Sequence, residues 1–278
     1  MLCIHARLVT RYVGNGGPYP VAHRGGAGLA PENSLAAFSR AHALGFRYLE
    51  TDIQITADGV CVAFHDSKLH RVLAVPGTVR RTQWADLRAL RFQGEAVPTL
   101  DDVLEAFPDA CFMMDLKDST ALDPVIEVLR RHRAVDRVCL AGGSDRLLAA
   151  ARERGGPQLS TALGWTSVTR LALAARTGSA IGRLVGRIGK AEFVHVPRYY
   201  GVLPVYAARL VSMAHDLGLR VMVWTIDDAA VIGSLLDQGV DGVITDRPDV
   251  LREVLIARDA WVRPVPEVDR IRDSSIGR

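Results

Sequence analysis

Residues 20–66 read PVAHRGGAGLAPENSLAAFSRAHALGFRYLETDIQITADGVCVAFHD. The stretch begins with a β-like run (20–26), continues with an amphipathic helix candidate (34–45) and returns to a second β-like run (47–56). The helix candidate ends at a glycine, which is the expected C-terminal stop. A strand, a helix and a second strand in this order predict a βαβ unit, whose two strands lie parallel in one sheet.

The same alternation continues to the end of the chain. Further β-like runs lie at 110–117, 137–143, 158–165, 192–198, 220–227 and 241–248, and helix candidates lie at 144–155, 204–218 and 229–239. Eight strands in one unit of this length favour a closed TIM (β/α)8 barrel of the α/β class over an open doubly wound sheet. An open dinucleotide-binding sheet would also carry a GxGxxG loop, whereas HRGGAGLAP has its glycines at other spacings.

An additional β-like run, VCVAFHD (60–66), follows the second barrel strand almost at once. A parallel crossover needs a dozen or more residues, so these two runs cannot be parallel neighbours. Asp-Gly between two alternating apolar runs is instead typical of a hairpin. The sequence therefore predicts an extra antiparallel strand that turns near Asp58 and brings His65 beside Thr51 and Asp52.

Length and composition indicate a single globular domain. The chain has 278 residues and a formal net charge of +3, and 49% of it is apolar, which is too apolar for a disordered chain. We expect an N-terminal segment (1–19), one barrel domain (20–262) with a small cap-like insertion (67–97), and a flexible tail (263–278). The helix after the insertion is predicted to begin near 98–101.

Several classes of protein are disfavoured. No apolar run reaches the roughly 18 residues of a membrane helix, and the N-terminus has no apolar signal-peptide core. The four cysteines are too widely spaced for a zinc ribbon or a disulfide framework. A cytoplasmic location is therefore expected, and an isoelectric point near 8.8 does not imply a nucleic-acid partner.

Three acidic side chains are predicted to meet at the C-terminal ends of the strands, where parallel barrels carry their active sites. Period-two alternation points Glu50 and Asp52 into the barrel, and Asp115 ends a neighbouring strand. Like charges at close range raise each other's pKa or require a cation, and an all-oxygen set suits Mg²⁺ or Ca²⁺. The alternative is a buried ion network between these acids and basic neighbours; the candidates are Arg24, Arg47 and Lys117.

Two histidines are predicted to flank the same mouth. His23 and His65 each end a strand beside a polar residue, and the unperturbed pKa of imidazole suits an acid–base pair near neutral pH. Arg24 and Lys117 would attract an anion, most naturally a phosphate. Together with a divalent cation, these groups suit the hydrolysis of a phosphodiester. No neighbouring sequence feature marks His195 for chemistry, so it is interpreted as a packed core residue.

These motifs resemble the glycerophosphodiester phosphodiesterase family. VAHRGGAGLAPENSLAAF, ETDIQITADGVCVAFHD, VPTLDDVLEAF, MDLK, VWTID and GVDGVITDRPD fall in the family's order and spacing over residues 20–250. The resemblance implies a phospholipase-C-like barrel that uses a divalent cation (Mg²⁺ or Ca²⁺) to hydrolyse glycerophosphodiesters to sn-glycerol 3-phosphate and an alcohol. By position it implies an acid–base pair (His23, His65), metal ligands (Glu50, Asp52, Asp115), phosphate contacts (Arg24, Lys117), and packing of Trp224 on the polyol or within a barrel layer.

The chain departs from the family pattern at two site positions. Asp115 stands where Glu is usual, and its shorter side chain bears on the distance to an ion. Asp227 stands where Asn is common, and its negative charge near the mouth bears on substrate choice. Glu32 and Asn33 are interpreted as groups that fix the loop rather than as catalytic residues.

A basic stretch suggests a second activity. Residues 154–190 contain six basic residues and no acidic one, with apolar residues between the arginines. Such a segment is either the solvated face of an outer barrel helix or a peripheral contact with an anionic membrane. Membrane contact would favour a lysophospholipid substrate, and hence lysophospholipase D activity. A non-catalytic phosphodiester-binding barrel ranks lower, because all of the candidate catalytic residues are present.

Overall fold

The computed structural model describes residues 10–14, 17–177, 191–200 and 203–261. The strands are β1 (Tyr19–Ala22), β2 (Tyr48–Ile55), β3 (Cys61–Ala63), β4 (Arg91–Phe92), β5 (Glu95–Ala96), β6 (Cys111–Leu116), β7 (Val138–Ala141), β8 (Ser160–Thr161), β9 (Phe193–Pro197), β10 (Tyr199–Tyr200), β11 (Leu203–Pro204), β12 (Arg220–Trp224) and β13 (Gly242–Thr245). Each predicted β-like run overlaps one of these strands; β1 begins one residue before its run, and the other overlapping strands lie within theirs.

The helices follow the strands along the chain. They are α1 (Leu35–Ala43), α2 (His70–Leu73), α3 (Trp84–Leu87), α4 (Leu100–Ala106), α5 (Leu122–Arg131), α6 (Asp145–Gly155), α7 (Trp165–Thr177), α8 (Ala208–Asp216), α9 (Ala229–Asp237) and α10 (Pro248–Ala257). The sequence pattern predicted the starts of α1 and α4, and capping explains both. The Ser34 hydroxyl accepts a hydrogen bond from the Ala37 N–H, and Thr99 forms a reciprocal capping box with Asp102.

Eight parallel strands form the barrel, as the alternating pattern predicts. Neighbours follow the order β8-β7-β6-β2-β1-β13-β12-β9. A parallel bridge between Ala162 and Phe193 joins the two ends of this order. The helices cover the outside, so each strand is buried on both faces, as parallel sheets require.

The extra strand pairs where the hairpin interpretation placed it. β3 runs antiparallel to β2, with Ile53 opposite Ala63, and the Phe64 N–H donates to the Asp52 carbonyl over 2.9 Å. This register returns His65 beside Thr51 and Asp52, as predicted. The following segment forms α2, α3 and the β4–β5 hairpin, which share a small apolar core with the extra strand.

Aromatic rings fill the N-terminal end of the barrel. Tyr12 is fully buried there, with ring centroids 5.4 Å from Tyr48 and 5.2 Å from Phe193 in edge-to-face contacts. Tyr19 joins the same cluster. Among the described residues, these side chains fill this end of the barrel interior.

Some predictions concern segments outside the described residues. These include the tail from 263 onward, most of the N-terminal segment, and residues 178–190 of the basic stretch. Within the described ranges, no helix combines the length and the apolar character needed to cross a bilayer.

Candidate active site

A cavity of about 210 Å³ opens at the C-terminal ends of the barrel strands. Every residue that the sequence predicted for the site lines this cavity; they are His23, Arg24, Glu50, Asp52, His65, Asp115, Lys117 and Trp224. The charged residues come from β1, β2, β6 and the loops that follow these strands. The rest of the wall is mostly apolar; it includes Met113, Ala141, Leu163, Trp165, Val168 and Ile244.

A tight turn after β1 positions His23 and Arg24. Gly25 has φ +80°, and a Cβ there would lie 2.7 Å from the Phe38 ring, so the position requires glycine. Arg24 itself has φ +49°, and its backbone N–H donates to Glu50 Oε2 over 2.7 Å. The strained turn therefore directs one backbone donor at a buried carboxylate.

Asp246 orients the His23 ring. Nδ1 of His23 lies 2.7 Å from Asp246 Oδ1, and a carboxylate accepts, so Nδ1 is the protonated nitrogen. Nε2 is left facing the cavity, 3.9 Å from Glu50 Oε2. Burial lowers the pKa of His23, but the charge of Glu50 and the hydrogen bond to Asp246 outweigh it, and the net pKa is raised.

Asp246 is held in turn by Asp227. The Asp227 carboxylate accepts from the Thr245 hydroxyl and from the Asp246 N–H, both over 2.8 Å. The residue that departs from the family pattern thus fixes the loop that carries the partner of His23. Asp227 lines a neighbouring groove, whereas the cavity lining contains Thr225 from the same loop.

His65 has a matching carboxylate in Asp66. Nδ1 of His65 lies 2.6 Å from Asp66 Oδ1. As in His23, Nε2 takes no part in the hydrogen bond to the carboxylate. Gln54 donates to the carbonyls of Phe64, His65 and Asp66 and so fixes the backbone of this segment. The two histidines therefore share one construction, in which a carboxylate sets both tautomer and ring orientation.

Arg71 of α2 connects the two histidine loops. Its guanidinium donates to Asp66 over 2.6 Å and to Glu32 over 2.7 Å, and Glu32 accepts from Arg24 over 3.0 Å. These bonds lower the pKa of Asp66, with Arg71 as the first cause. Sequence analysis did not identify Arg71, since an arginine in an insertion carries no periodic signal.

Asp52 is the best-neutralised acid of the site. It accepts from Lys117 Nζ at 2.8 Å and from Asn33 Nδ2 at 2.9 Å, and Arg24 Nε lies 3.5 Å away. Burial by itself would raise the pKa of Asp52, but Lys117 and the other cationic neighbours lower it overall. Asn33 thus binds a site carboxylate in addition to shaping the loop.

Glu50 has the opposite electrostatic environment. Burial, with the neighbouring Asp52 charge as the next cause, raises the pKa of Glu50 to about 7. Asp115 pairs with Asp52 across β2 and β6 and lies 2.6 Å from Lys117 Nζ. Asp52 and Asp115 therefore belong to an ion network of the kind that the sequence left open as an alternative, with Lys117 between them and Arg24 beside Asp52. Arg47 is not part of it and donates to the Asp109 carbonyl instead.

Whether the cavity suits a divalent cation depends on which oxygen atoms could bind it and on how closely they approach one another. Three carboxylates on two neighbouring strands provide an all-oxygen donor set, and burial, followed by the charge of Asp52, raises the pKa of Glu50 although His23 and Lys117 act to lower it. In the part of the chain that the structure describes, however, no three His, Cys, Asp or Glu side chains converge on one point. Carboxylate oxygens are suitable ligands for Mg²⁺ or Ca²⁺. Two of the three carboxylates, those of Asp52 and Asp115, also form ion pairs with Lys117.

His195 lies on the wall of the cavity that carries no charged side chain. This residue faces the cavity, and its Nε2 is buried without a hydrogen-bond partner among the described residues. His195 thus lies inside the barrel beside Phe193, as a core residue would, and in addition it lines the cavity. At the rim, Trp165 is 41% exposed and meets Trp224 edge to face at 6.2 Å.

Comparison with known proteins gives consistent similarities. The pattern of the glycerophosphoryl diester phosphodiesterase family matches residues 23–250. The chain is 37% identical over 263 residues to the probable glycerophosphodiester phosphodiesterase 2 of Mycobacterium tuberculosis, covering 90% of this chain and 95% of the relative. It is 24% identical to a lysophospholipase D of Rattus norvegicus, covering 91% and 89%.

The fold is similar to that of a solved structure that contains a ligand. An Oleispira antarctica phosphodiesterase in complex with the product sn-glycerol-3-phosphate superposes with a TM-score of 0.74 and 23% identity. The match covers 86% of this chain and 97% of that one. At this identity the match supports the barrel fold.

The His23–Asp246 contact predicts a measurable shift. Replacing Asp246 by Asn removes a negative charge 2.7 Å from Nδ1, so the pKa of His23 should fall. NMR titration of the His23 imidazole measures it. Asp249→Asn is the matched control, because Asp249 pairs with Arg247 on the surface. An unchanged His23 pKa in Asp246→Asn would contradict this account of the ring.

Proposed function

The chain belongs to the glycerophosphoryl diester phosphodiesterase family, and we propose that it hydrolyses glycerophosphodiesters to sn-glycerol 3-phosphate and an alcohol. One observation supports this most directly. Two imidazoles, each anchored through Nδ1 by a carboxylate, line one cavity together with Arg24 and Lys117. This is the equipment for proton transfer at a bound phosphodiester.

His23 and His65 serve as the acid–base pair in this proposal. One imidazole takes a proton from the oxygen that attacks phosphorus, and the other gives a proton to the oxygen of the departing alcohol. One P–O bond forms and another breaks, so no net proton stays on the enzyme. The carboxylates of Asp246 and Asp66 stabilise whichever ring is protonated.

Arg24 and Lys117 are proposed to bind the phosphate. Arg24 Nε is buried 3.5 Å from Asp52 Oδ2 and, within the described ranges, forms no hydrogen bond, so its N–H is available to a ligand. The Lys117 ammonium is held between Asp52 and Asp115, and these acids raise its pKa overall although burial lowers it. Both side chains therefore keep fixed positive charge at the cavity wall.

A divalent cation completes the proposal. Glu50, Asp52 and Asp115 are the residues that would hold it. When bound, the ion supplies neutralisation of the charge that develops on the phosphoryl oxygens and alignment of the attacking oxygen.

A second candidate activity is lysophospholipase D. The observation in its favour is the apolar rim, where Trp165 and Trp224 present a wall beside the charged half of the cavity. An acyl-bearing glycerol would pack against such a wall. The described part of the basic stretch ends at Thr177, so peripheral contact with an anionic membrane stays a prediction, as does a cytoplasmic location.

A substrate comparison tests both candidate activities. Purified protein should release glycerol 3-phosphate from glycerophosphocholine, detected by a coupled dehydrogenase assay. Lysophosphatidylcholine should be the poorer substrate, measured as choline release. Faster turnover of the lysolipid would favour the second candidate, and no release from either substrate would contradict the proposed function.

The histidine assignment predicts large losses of turnover. His23→Ala and His65→Ala should each lower kcat by about 10²-fold or more, since one proton transfer contributes about 10²–10⁴-fold. His70→Ala is the control, because this exposed imidazole lies in α2, away from the cavity lining. Circular dichroism checks the fold of each variant. A kcat close to wild type in His23→Ala or His65→Ala would remove that residue from the acid–base pair.

The cation proposal predicts loss and recovery of activity. Exhaustive chelation with EDTA should abolish turnover, and Mg²⁺ or Ca²⁺ should restore it. Asp52→Asn should raise the concentration of ion needed for half-maximal recovery, because it removes one carboxylate charge. Asp101→Asn is a surface control. Full activity after chelation would exclude the cation from the reaction.

A further inference from the structure

His195 is a polar residue of the cavity lining that the proposed reaction does not use. Its Nε2 is buried and, among residues 10–14, 17–177, 191–200 and 203–261, finds no hydrogen-bond partner. Leaving a buried polar atom without a hydrogen bond destabilises the folded protein. Buried polar groups are as a rule hydrogen-bonded, and the open cavity beside this ring offers a place for a partner from a ligand.

The barrel places His195 opposite the charged residues. In the circular strand order, β9 lies four strands from β2 in either direction, so the two strands face each other across the barrel. Phe193 and His195 point to the same side of β9, and Phe193 belongs to the aromatic cluster of the interior. His195 is therefore an interior residue one layer above that cluster.

Strand register also gives the height of His195. Going around the barrel through β12, β13 and β1, the residues paired at the level of His195 are Met222, Gly242 and Tyr19. Continuing this register to β2 reaches position 46. Followed the other way through β8, β7 and β6, the same level reaches position 54. The two positions on β2, 46 and 54, differ by the shear of a TIM barrel, which is the offset in residues after one full turn around the barrel. Glu50 lies midway, so His195 faces it at one height.

This height is deeper than that of the other acids. Asp52 and Asp115 are paired neighbours one layer closer to the mouth than Glu50. A ligand group that reaches His195 is therefore enclosed by the barrel, whereas a group bound beside Trp165 is near solvent. The enclosed position suits the part of the substrate that is constant, and the rim suits the alcohol that varies.

The chemistry of His195 selects a hydroxyl. Burial lowers the pKa of His195 to about 3, so the ring is neutral at physiological pH. A neutral imidazole offers one N–H donor and one acceptor nitrogen, and a hydroxyl can meet either. Without a positive charge the ring has little to offer a phosphate, for which Arg24 and Lys117 are available on the other side.

We propose that His195 is a specificity-determining residue that hydrogen-bonds a glycerol hydroxyl of the substrate across the barrel from Glu50. The inference rests on the proposed function and adds to it the orientation of the substrate, with phosphate on the charged half and glycerol toward β9. Met113 and Ile244 line the same cavity and provide apolar contacts for the carbon skeleton.

Two ligands that differ only in their hydroxyl groups test the proposal without turnover. Isothermal titration calorimetry should compare sn-glycerol 3-phosphate with n-propyl phosphate, which has the same phosphate and chain length but no hydroxyls. The wild-type protein should prefer sn-glycerol 3-phosphate by about 10-fold or more, because a site built for a hydroxyl discriminates against its absence. His195→Phe should reduce the preference to about 2-fold or less, mainly by weakening sn-glycerol 3-phosphate.

His195→Asn is the matched variant, since its amide keeps a donor and an acceptor, and it should retain part of the preference. If His195→Phe does not fold, as judged by circular dichroism, His195→Leu carries the same expectation. An undiminished preference in His195→Phe or His195→Leu would overturn the proposal, and so would equal weakening of both ligands. Release of glycerol 3-phosphate by the wild-type enzyme, measured separately, shows whether a failure concerns His195 or the proposed function.

Discussion

The arrangement of the site depends on one buried carboxylate, Asp52. The inward face of β2 carries it into a barrel that excludes water, and an isolated charge there would be very costly. Lys117, Asn33 and Arg24 supply the compensation from β6 and from the loop after β1. Satisfying one acid therefore draws together β2, the end of β6 with Lys117 and the loop after β1 with Arg24.

The two histidines extend this arrangement through a chain of charge-assisted bonds. His65 is bound to Asp66, Asp66 to Arg71, Arg71 to Glu32, and Glu32 to Arg24. His23 is tied separately to Asp246, at the end of the last barrel strand. Residues far apart in sequence meet because barrel closure brings the first and last strands side by side. The insertion after β3 thereby contributes to the geometry of the site although its own core is separate.

Much of this was predictable because it follows from periodicity. Alternation fixed which β2 residues point inward, and the short Asp-Gly link fixed the hairpin register that returns His65. Asp246 and Arg71 were not assigned to the site, and His195 was interpreted as a core residue, because their contacts depend on distances between loops or on a missing partner. Neither leaves a periodic signal in the sequence. Asp227 shows the same limit: the sequence indicates a charge near the mouth, but only the fold shows it accepting two hydrogen bonds inside the β13 loop.

The division of the cavity into a charged and a neutral half has a physical basis. Cations and acids can share β1, β2 and β6 because neighbouring strands lie close enough for direct ion pairs. On the opposite wall, burial lowers the pKa of His195 until the ring is neutral. One wall of the barrel therefore carries the charges, and the opposite wall can offer a ligand only neutral hydrogen bonds and apolar contacts. A phosphate joined to a polyol has the same division, with a charged end and a neutral end.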